Sequence, residues 1–369
     1  MASIGKVGTS RMTSLDLLRL MAALAVMLYH YLFRGAIAGN LDVSYPYAAP
    51  YAIYGNLGVN LFFLISGFVI AWSAEGRTWQ EFAVARFARL YPGFLVCMTA
   101  TFLFLVVAKD QRLPTDAATY IANLTMFARI FGRQSMDGVY WSIMVEILFY
   151  CWVAMLMLAG AFQRWKLPIV AGWLAVAAGN ELVFANTAIR LLFITDYAPF
   201  FAGGILAEDL VARGRSPAAL LLFAAALLLS YKTMVLPQAW MQEHYGVSLS
   251  SADLVVANTV VFGIFVCAVS FGRIIRPSKL MVLLGGLTYP LYLLHQYIGY
   301  ISLNALAPYV GKNVAFLVVS GGVLLASFLV CRFIETPVRR PIVRALTPWV
   351  YRLAPAAQQI RPTSHTLTP

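Results

Sequence analysis

Apolar residues come in runs of about twenty along almost the whole chain, and polar residues fall in the short breaks between them. A helix needs about 20 mostly apolar residues to cross a hydrocarbon core. That ruler gives ten candidate spans, at about 16–35, 54–74, 88–108, 140–162, 168–186, 190–211, 217–233, 252–271, 280–303 and 313–335. The stretch 118–131 is shorter and carries Arg129, so a re-entrant or interfacial helix is expected there. No loop is long enough for a second domain. The expected architecture is an all-α, polytopic transmembrane bundle over residues 1–345, followed by a Pro-rich, polar, disordered tail over 346–369.

Composition makes the bilayer unavoidable. Of 369 residues, 61% are apolar or aromatic and 11% charged, whereas soluble domains run nearer half and a quarter. The net charge of +12 would suggest nucleic acid in a soluble chain. Here the basic residues cluster between apolar runs, so no nucleic-acid partner is expected and the charge reports topology instead. With the N-terminus inside, the inner segments hold 19 of the 27 Lys and Arg, among them Lys6, Arg11, Arg19, Arg86, Arg89, Arg273, Arg276, Lys279 and six from Arg332 to Arg361. Ten spans with both termini cytoplasmic follow from that bias. The basic start, the first apolar run and Ala36-Ile37-Ala38 also resemble a cleaved signal peptide; Arg19, His30 and Arg34 within the run count against it. Cys97, Cys151, Cys267 and Cys331 lie in apolar segments without ligand spacing, and neither a disulfide nor a metal is expected.

Ionisable groups inside a span cost several kcal/mol, which makes them functional candidates. Arg19 and His30 are eleven residues apart on the first span. Eleven steps of 100° bring them within ~20° of one face, ~16 Å apart along the axis. On the fourth span Ser142, Glu146 and Tyr150 share a face at i, i+4, i+8. Glu146 and His30 are expected at similar depth, as a pair in which the carboxylate orients the imidazole and raises its basicity. The competing reading is an ion pair that only fixes helix packing. His295, with Tyr289 and Tyr292 before it, and Asp196 near the outer end of the sixth span are further candidates, or else satisfied polar residues of the bundle. Arg86-Phe87-Ala88-Arg89 puts two guanidinium groups on one helical face, either a fork for phosphates or ordinary membrane anchoring. Glu335-Thr336-Pro337-Val338-Arg339-Arg340 is expected as a helix stop with basic residues.

These elements together resemble acyltransferase family 3, polytopic bacterial proteins that O-acylate surface carbohydrates and some small molecules. Arg19-x10-His30 resembles the family's Arg-x10-His element. Gly58-Val59-Asn60-Leu61-Phe62-Phe63-Leu64-Ile65-Ser66-Gly67-Phe68 is similar to its Gly-Val-x-x-Phe-Phe-x-x-Ser-Gly-Phe stretch. Arg86-x-x-Arg89 resembles its Arg-x-x-Arg signature, and Trp141-Ser142-x-x-x-Glu146-x-x-Phe149-Tyr150 its Trp-Ser-x-x-x-Glu-x-x-Phe-Tyr. Thr288-Tyr289-x-Leu291-Tyr292-Leu293-x-His295 and Glu335-x-Pro337 match two later motifs, while Leu17 and Asn60 stand where many members have Gly and Asp.

The resemblance implies an acyl-CoA donor, usually acetyl-CoA, on the cytoplasmic side of a bacterial inner membrane, and a carbohydrate acceptor at the outer face. Arg86, Arg89 and Arg19 would then hold the CoA phosphates. His30 would serve either as general base or as a covalent acyl carrier, with Glu146 orienting it. Ser66, Tyr292, His295 and Asp196 would contact the oxyanion or the acceptor. Succinyl or longer acyl groups and lipid or antibiotic-sugar acceptors stay open, as does a carrier or flippase. Tyr45, Tyr47, Tyr51, Trp240 and Tyr245 in the outer loops are candidates to stack on sugar faces, or interfacial aromatics of the ordinary kind.

Overall fold

The computed structural model describes residues 12–110, 112–272 and 278–353, with backbone only for Leu236, Pro237, Gln238 and Trp240. Lys6, Arg11, Arg273, Arg276, Arg361 and the expected tail beyond 353 lie outside the described residues. Every regular element among those described is helical. In chain order the main ones are Thr13–Ile37 (α1), Ala49–Ala74 (α2), Trp79–Ala108 (α3), Gly138–Leu158 (α4), Lys166–Phe184 (α5), Thr187–Arg213 (α6), Pro217–Thr233 (α7), Val235–Tyr245 (α8), Ser251–Ser270 (α9), Lys279–Leu294 (α10), Gln296–Val310 (α11), Lys312–Val330 (α12) and Thr336–Leu353 (α13). Among the described residues, eight stretches are long and apolar enough to cross a bilayer: α1 to α6, α9, and Lys312–Arg352 taken as one. The remaining two expected spans correspond to shorter apolar helices, α7 and α10. The expected span 280–303 is divided at His295, where α10 gives way to α11. The 118–131 stretch forms only a seven-residue helix, Ala117–Asn123, and one 3-10 turn, Ala128–Phe131.

α2 and α6 make the most extensive helix–helix contact. Gly67 and Gly204 permit it: a Cβ on Gly67 would strike the Phe201 carbonyl, and one on Gly204 the Leu64 carbonyl. Small residues that let backbones approach are the usual basis of helix association where lipid removes the hydrophobic driving force. α1 lies between α2 and α10, and α3 packs on α4, α10 and α13.

Three local devices set the site. Thr78 and Glu81 form a reciprocal capping box that starts α3 well before the expected residue 88, so Arg86 and Arg89 lie within the helix. π turns interrupt the helices at His30–Arg34 and Cys331–Glu335; such turns re-aim side chains at one point of a ladder. The second corrects the expected helix stop. Glu335-Thr336-Pro337 does not end the helix: the π turn just before Pro337 shifts the hydrogen-bond ladder, Thr336 Oγ1 donates to the Cys331 carbonyl at 2.8 Å, and the chain continues into α13. α13 also runs past residue 345, the expected start of the tail, to Leu353, with Tyr351 Oη 2.9 Å from Thr78 Oγ1.

Candidate active site

A cavity of about 1330 Å³ opens between α1, α2, α3, α4, α10, α12 and α13. Along α2 its lining extends from Val59 to Trp72, roughly 20 Å at 1.5 Å per residue. One end is basic. Arg19, Arg86 and Arg89 line it as the sequence suggested, joined by Lys279, Arg332, Arg339, Arg340 and Arg344. Against these eight cations the lining has three carboxylates, Asp16, Glu146 and Glu335. The additional five come from the first residue of α10, the second π turn and α13. Arg340 and Arg344 were visible at i, i+4 beside the closing motif, but only as topology signals.

The three inner arginines are half-buried. Arg89 Nη1 lies 3.3 Å from Glu335 Oε2, and Gly93 leaves the space that the Glu335 carboxylate fills. Arg19 Nη1 stands 3.9 Å from Asp16 Oδ1. Arg86 lies over the Phe82 ring at 5.7 Å, and its buried Nε has no hydrogen-bond partner.

Glu146 lies midway along the cavity, yet not beside His30. One carboxylate oxygen, Oε1, accepts from Ser66 Oγ at 2.7 Å and from Tyr150 Oη. Ser66 is therefore a donor to Glu146. The expected Glu146–His30 contact is not made among the described residues.

At the end remote from the basic residues the lining closes with Tyr292 and Ser142. Tyr292 Oη is 2.6 Å from Ser142 Oγ and donates to the Val139 carbonyl at 3.2 Å. One turn beyond Tyr292, outside the cavity lining, lies His295, its ring 5.8 Å from that of Tyr292 and 5.1 Å from that of His30. His30 Nδ1 is 2.9 Å from Tyr300 Oη. So the two histidines pair with each other, and Tyr300 takes the place expected of Glu146. The eleven-residue spacing that put Arg19 and His30 on one face does not put both in the cavity, which α1 lines only as far as Arg19.

His295 is completely buried, with Nδ1 at 3.1 and 2.9 Å from the carbonyls of Leu291 and Tyr292. Both partners only accept, so Nδ1 carries the hydrogen. A neutral His295 then presents a lone pair at Nε2, which is buried and without a hydrogen-bond partner. That geometry suits a hydroxyl group and offers nothing to an oxyanion. Asp137, not singled out from the sequence, buttresses the pair: its carboxylate accepts from the backbone N–H of Val139 and Tyr297, joining the start of α4 to the first turn of α11. The signal was present as an Asp-Gly just before an apolar run.

Asp196 is not in the cavity lining; it sits in the turn at the start of the long second part of α6. Among the loop aromatics, Tyr45 Oη donates to the Lys312 carbonyl and Tyr245 lies under Arg34, whereas Tyr47 and Tyr51 are exposed. The Trp240 side chain lies outside the described residues. All four cysteines are free.

A family model described as acyltransferase domain matches residues 12–332, nearly the whole described chain. The chain belongs to acyltransferase family 3. It is similar to the exopolysaccharide production protein ExoZ of Rhizobium meliloti (strain 1021), 28% identical over 177 residues, covering 44% of this chain and 53% of that protein. It is also similar to nodulation protein 10 of Rhizobium leguminosarum bv. viciae, 32% identical over 51% of this chain and 54% of the relative. The acyltransferase MdmB of Streptomyces mycarofaciens is 27% identical over 51% of this chain and 48% of its own length. The chain thus spans about half the length of the curated relatives it matches. No solved structure matches.

Proposed function

We propose that this chain is a membrane O-acyltransferase of the bacterial inner membrane. It takes an acyl group, acetyl first among the candidates, from acyl-CoA on the cytoplasmic side and passes it to a hydroxyl of a cell-surface or exported carbohydrate. The observation that carries this reading is the cavity: a basic end, a route about 20 Å long, and a histidine pair one side-chain layer beyond its closed end. Positive-inside bias supports a cytoplasmic basic end and, over ten spans, cytoplasmic termini. The name of the Rhizobium meliloti relative, an exopolysaccharide production protein, supports a carbohydrate acceptor.

In this reading the donor's phosphates bind at Arg19, Arg86 and Arg89, and its thioester passes Tyr292 to reach His30. With Nδ1–H donated to Tyr300, Nε2 of His30 removes the acceptor hydroxyl's proton as that oxygen attacks the thioester carbonyl. The tetrahedral intermediate collapses, the C–S bond breaks, and the thiolate takes the proton from the imidazolium. His295 Nε2 accepts a hydrogen bond from a second hydroxyl of the acceptor and so aligns it.

The test is free-thiol release from acetyl-CoA by detergent-purified protein, with crude envelope carbohydrate as acceptor. His30→Ala is expected to abolish acceptor-dependent release while the protein stays folded and inserted. Release within a fewfold of wild type would remove His30 from the chemistry. Absence of both release and acetyl-CoA binding with the wild-type protein would favour the carrier reading instead.

A further inference from the structure

The eight cations among the described residues of the cavity fall into two tiers, three inner and five exposed, with Arg339 among the exposed. Arg19, Arg86 and Arg89 are half-buried, and two of them sit against carboxylates. Lys279, Arg332, Arg340 and Arg344 are exposed at the rim, and among the described residues none has a carboxylate within ion-pair distance. Arg340 and Arg344 stand one turn apart on α13, so they present two guanidinium groups on one face of that helix. α13 is held in place by Tyr351 on Thr78, at the start of the helix that carries Arg86 and Arg89. The rim is therefore a built extension of the inner tier.

An acyl-CoA molecule has a matching order of groups: thioester, pantetheine arm, diphosphate, then a ribose bearing a 3′-phosphate. The diphosphate adjoins the arm and belongs where the cavity narrows. The terminal monoester, a strongly hydrated dianion, is costly to bury and cheap to hold on exposed guanidinium groups. We infer that the Arg340–Arg344 face of α13, with Arg332 and Lys279, is a subsite for the 3′-phosphate of the donor nucleotide. This rests on the acyl-CoA reading above. Anionic lipid headgroups offer the same phosphate chemistry, and the experiment separates the two sources.

The experiment compares acetyl-CoA with acetyl-3′-dephospho-CoA, for the wild-type protein and R340Q/R344Q, in phospholipid-free detergent and in nanodiscs of zwitterionic or anionic lipid. Wild type is expected to favour the 3′-phosphorylated donor by roughly tenfold in KM, the equivalent of ~1.4 kcal/mol. The double variant is expected to bring that ratio near one in detergent, and added salt to narrow it in wild type. Equal KM values for the two donors in wild type would overturn the inference. So would a loss in the double variant that is the same for both donors, or one seen only with anionic lipid. Failure of wild type to use or bind either donor would instead break the acyl-CoA reading. Size-exclusion elution and thermal melting of the variant show whether it has folded.

Discussion

Two of the clusters of ionisable groups within the apolar helices have opposite designs. Lys166 at the start of α5 and Glu208 and Asp209 near the end of α6 are each only 2% exposed. Lys166 Nζ lies 2.7 Å from Glu208 Oε2 and 3.7 Å from Asp209 Oδ1, with Arg213 Nε 3.4 Å from the same Asp209 oxygen. The charges answer one another, and none of these residues borders the cavity. Glu146, by contrast, is held by two neutral hydroxyls through one oxygen and borders a basic cavity. Burial of charge in a span is a fair first pointer to function. The two differ in design: the closed cluster balances itself with its own cations, whereas the Glu146 carboxylate is held by neutral donors and leaves its charge to face a cavity.

The largest expected effect falls on the closed cluster, and on stability. Lys166→Met leaves two carboxylates buried beside an arginine that reaches only one of them. Removing one partner of a buried pair costs about 3–5 kcal/mol, which should show as a collapse of membrane abundance and of the melting temperature in detergent. Lys166→Met combined with Glu208→Gln and Asp209→Asn removes the charges together and is expected to recover most of that loss. No recovery would mean that the cluster is needed for more than charge balance.

Glu146→Gln should act the other way. Its amide oxygen still accepts from Ser66 and Tyr150, so melting should move by no more than the equivalent of ~1 kcal/mol. Acceptor-dependent thiol release should fall about tenfold, the worth of ~1.4 kcal/mol, because the charge facing Arg19 and Arg86 is gone. A large melting shift with unchanged specific activity would place Glu146 with the structural cluster.

Much of this site was legible along single helices. Arg86 and Arg89 at i, i+3 and Glu146 and Tyr150 at i, i+4 do share faces, because 100° per residue holds within one helix. What lay out of reach was the rotation of each helix against its neighbours. A soluble helix reveals its inward face by an apolar stripe, but a helix that is apolar all round carries no such mark. Hence Glu146 was matched by depth with His30, when its partner is Ser66 on α2, 80 positions away. Arg89 meets Glu335 across 246 positions. The π turns at His30–Arg34 and Cys331–Glu335 add a local rotation that a uniform period cannot foresee, and the second carries the helix past Pro337, where the sequence resembled a stop, into the basic rim.

The smallest effect tests whether the open cluster works as a unit. Ser66→Ala removes one hydrogen bond to Glu146 Oε1, and Tyr150→Phe the other. Hydrogen bonds to charged groups are worth about 1.5–3 kcal/mol when the partner is left with nothing, but here each hydroxyl covers for the other. Each single variant should therefore lose only about threefold in thiol release. The double variant frees the carboxylate to swing toward the arginines, where an ion pair would neutralise the charges that line the cavity. Its loss should exceed the product of the single losses, with a coupling of at least ~0.5 kcal/mol. In a Glu146→Gln background the coupling should vanish, since no charge remains to swing. Strict multiplicativity in the wild-type background would mean that the two hydroxyls act separately on the cavity wall, and that the orientation of Glu146 is fixed by packing alone.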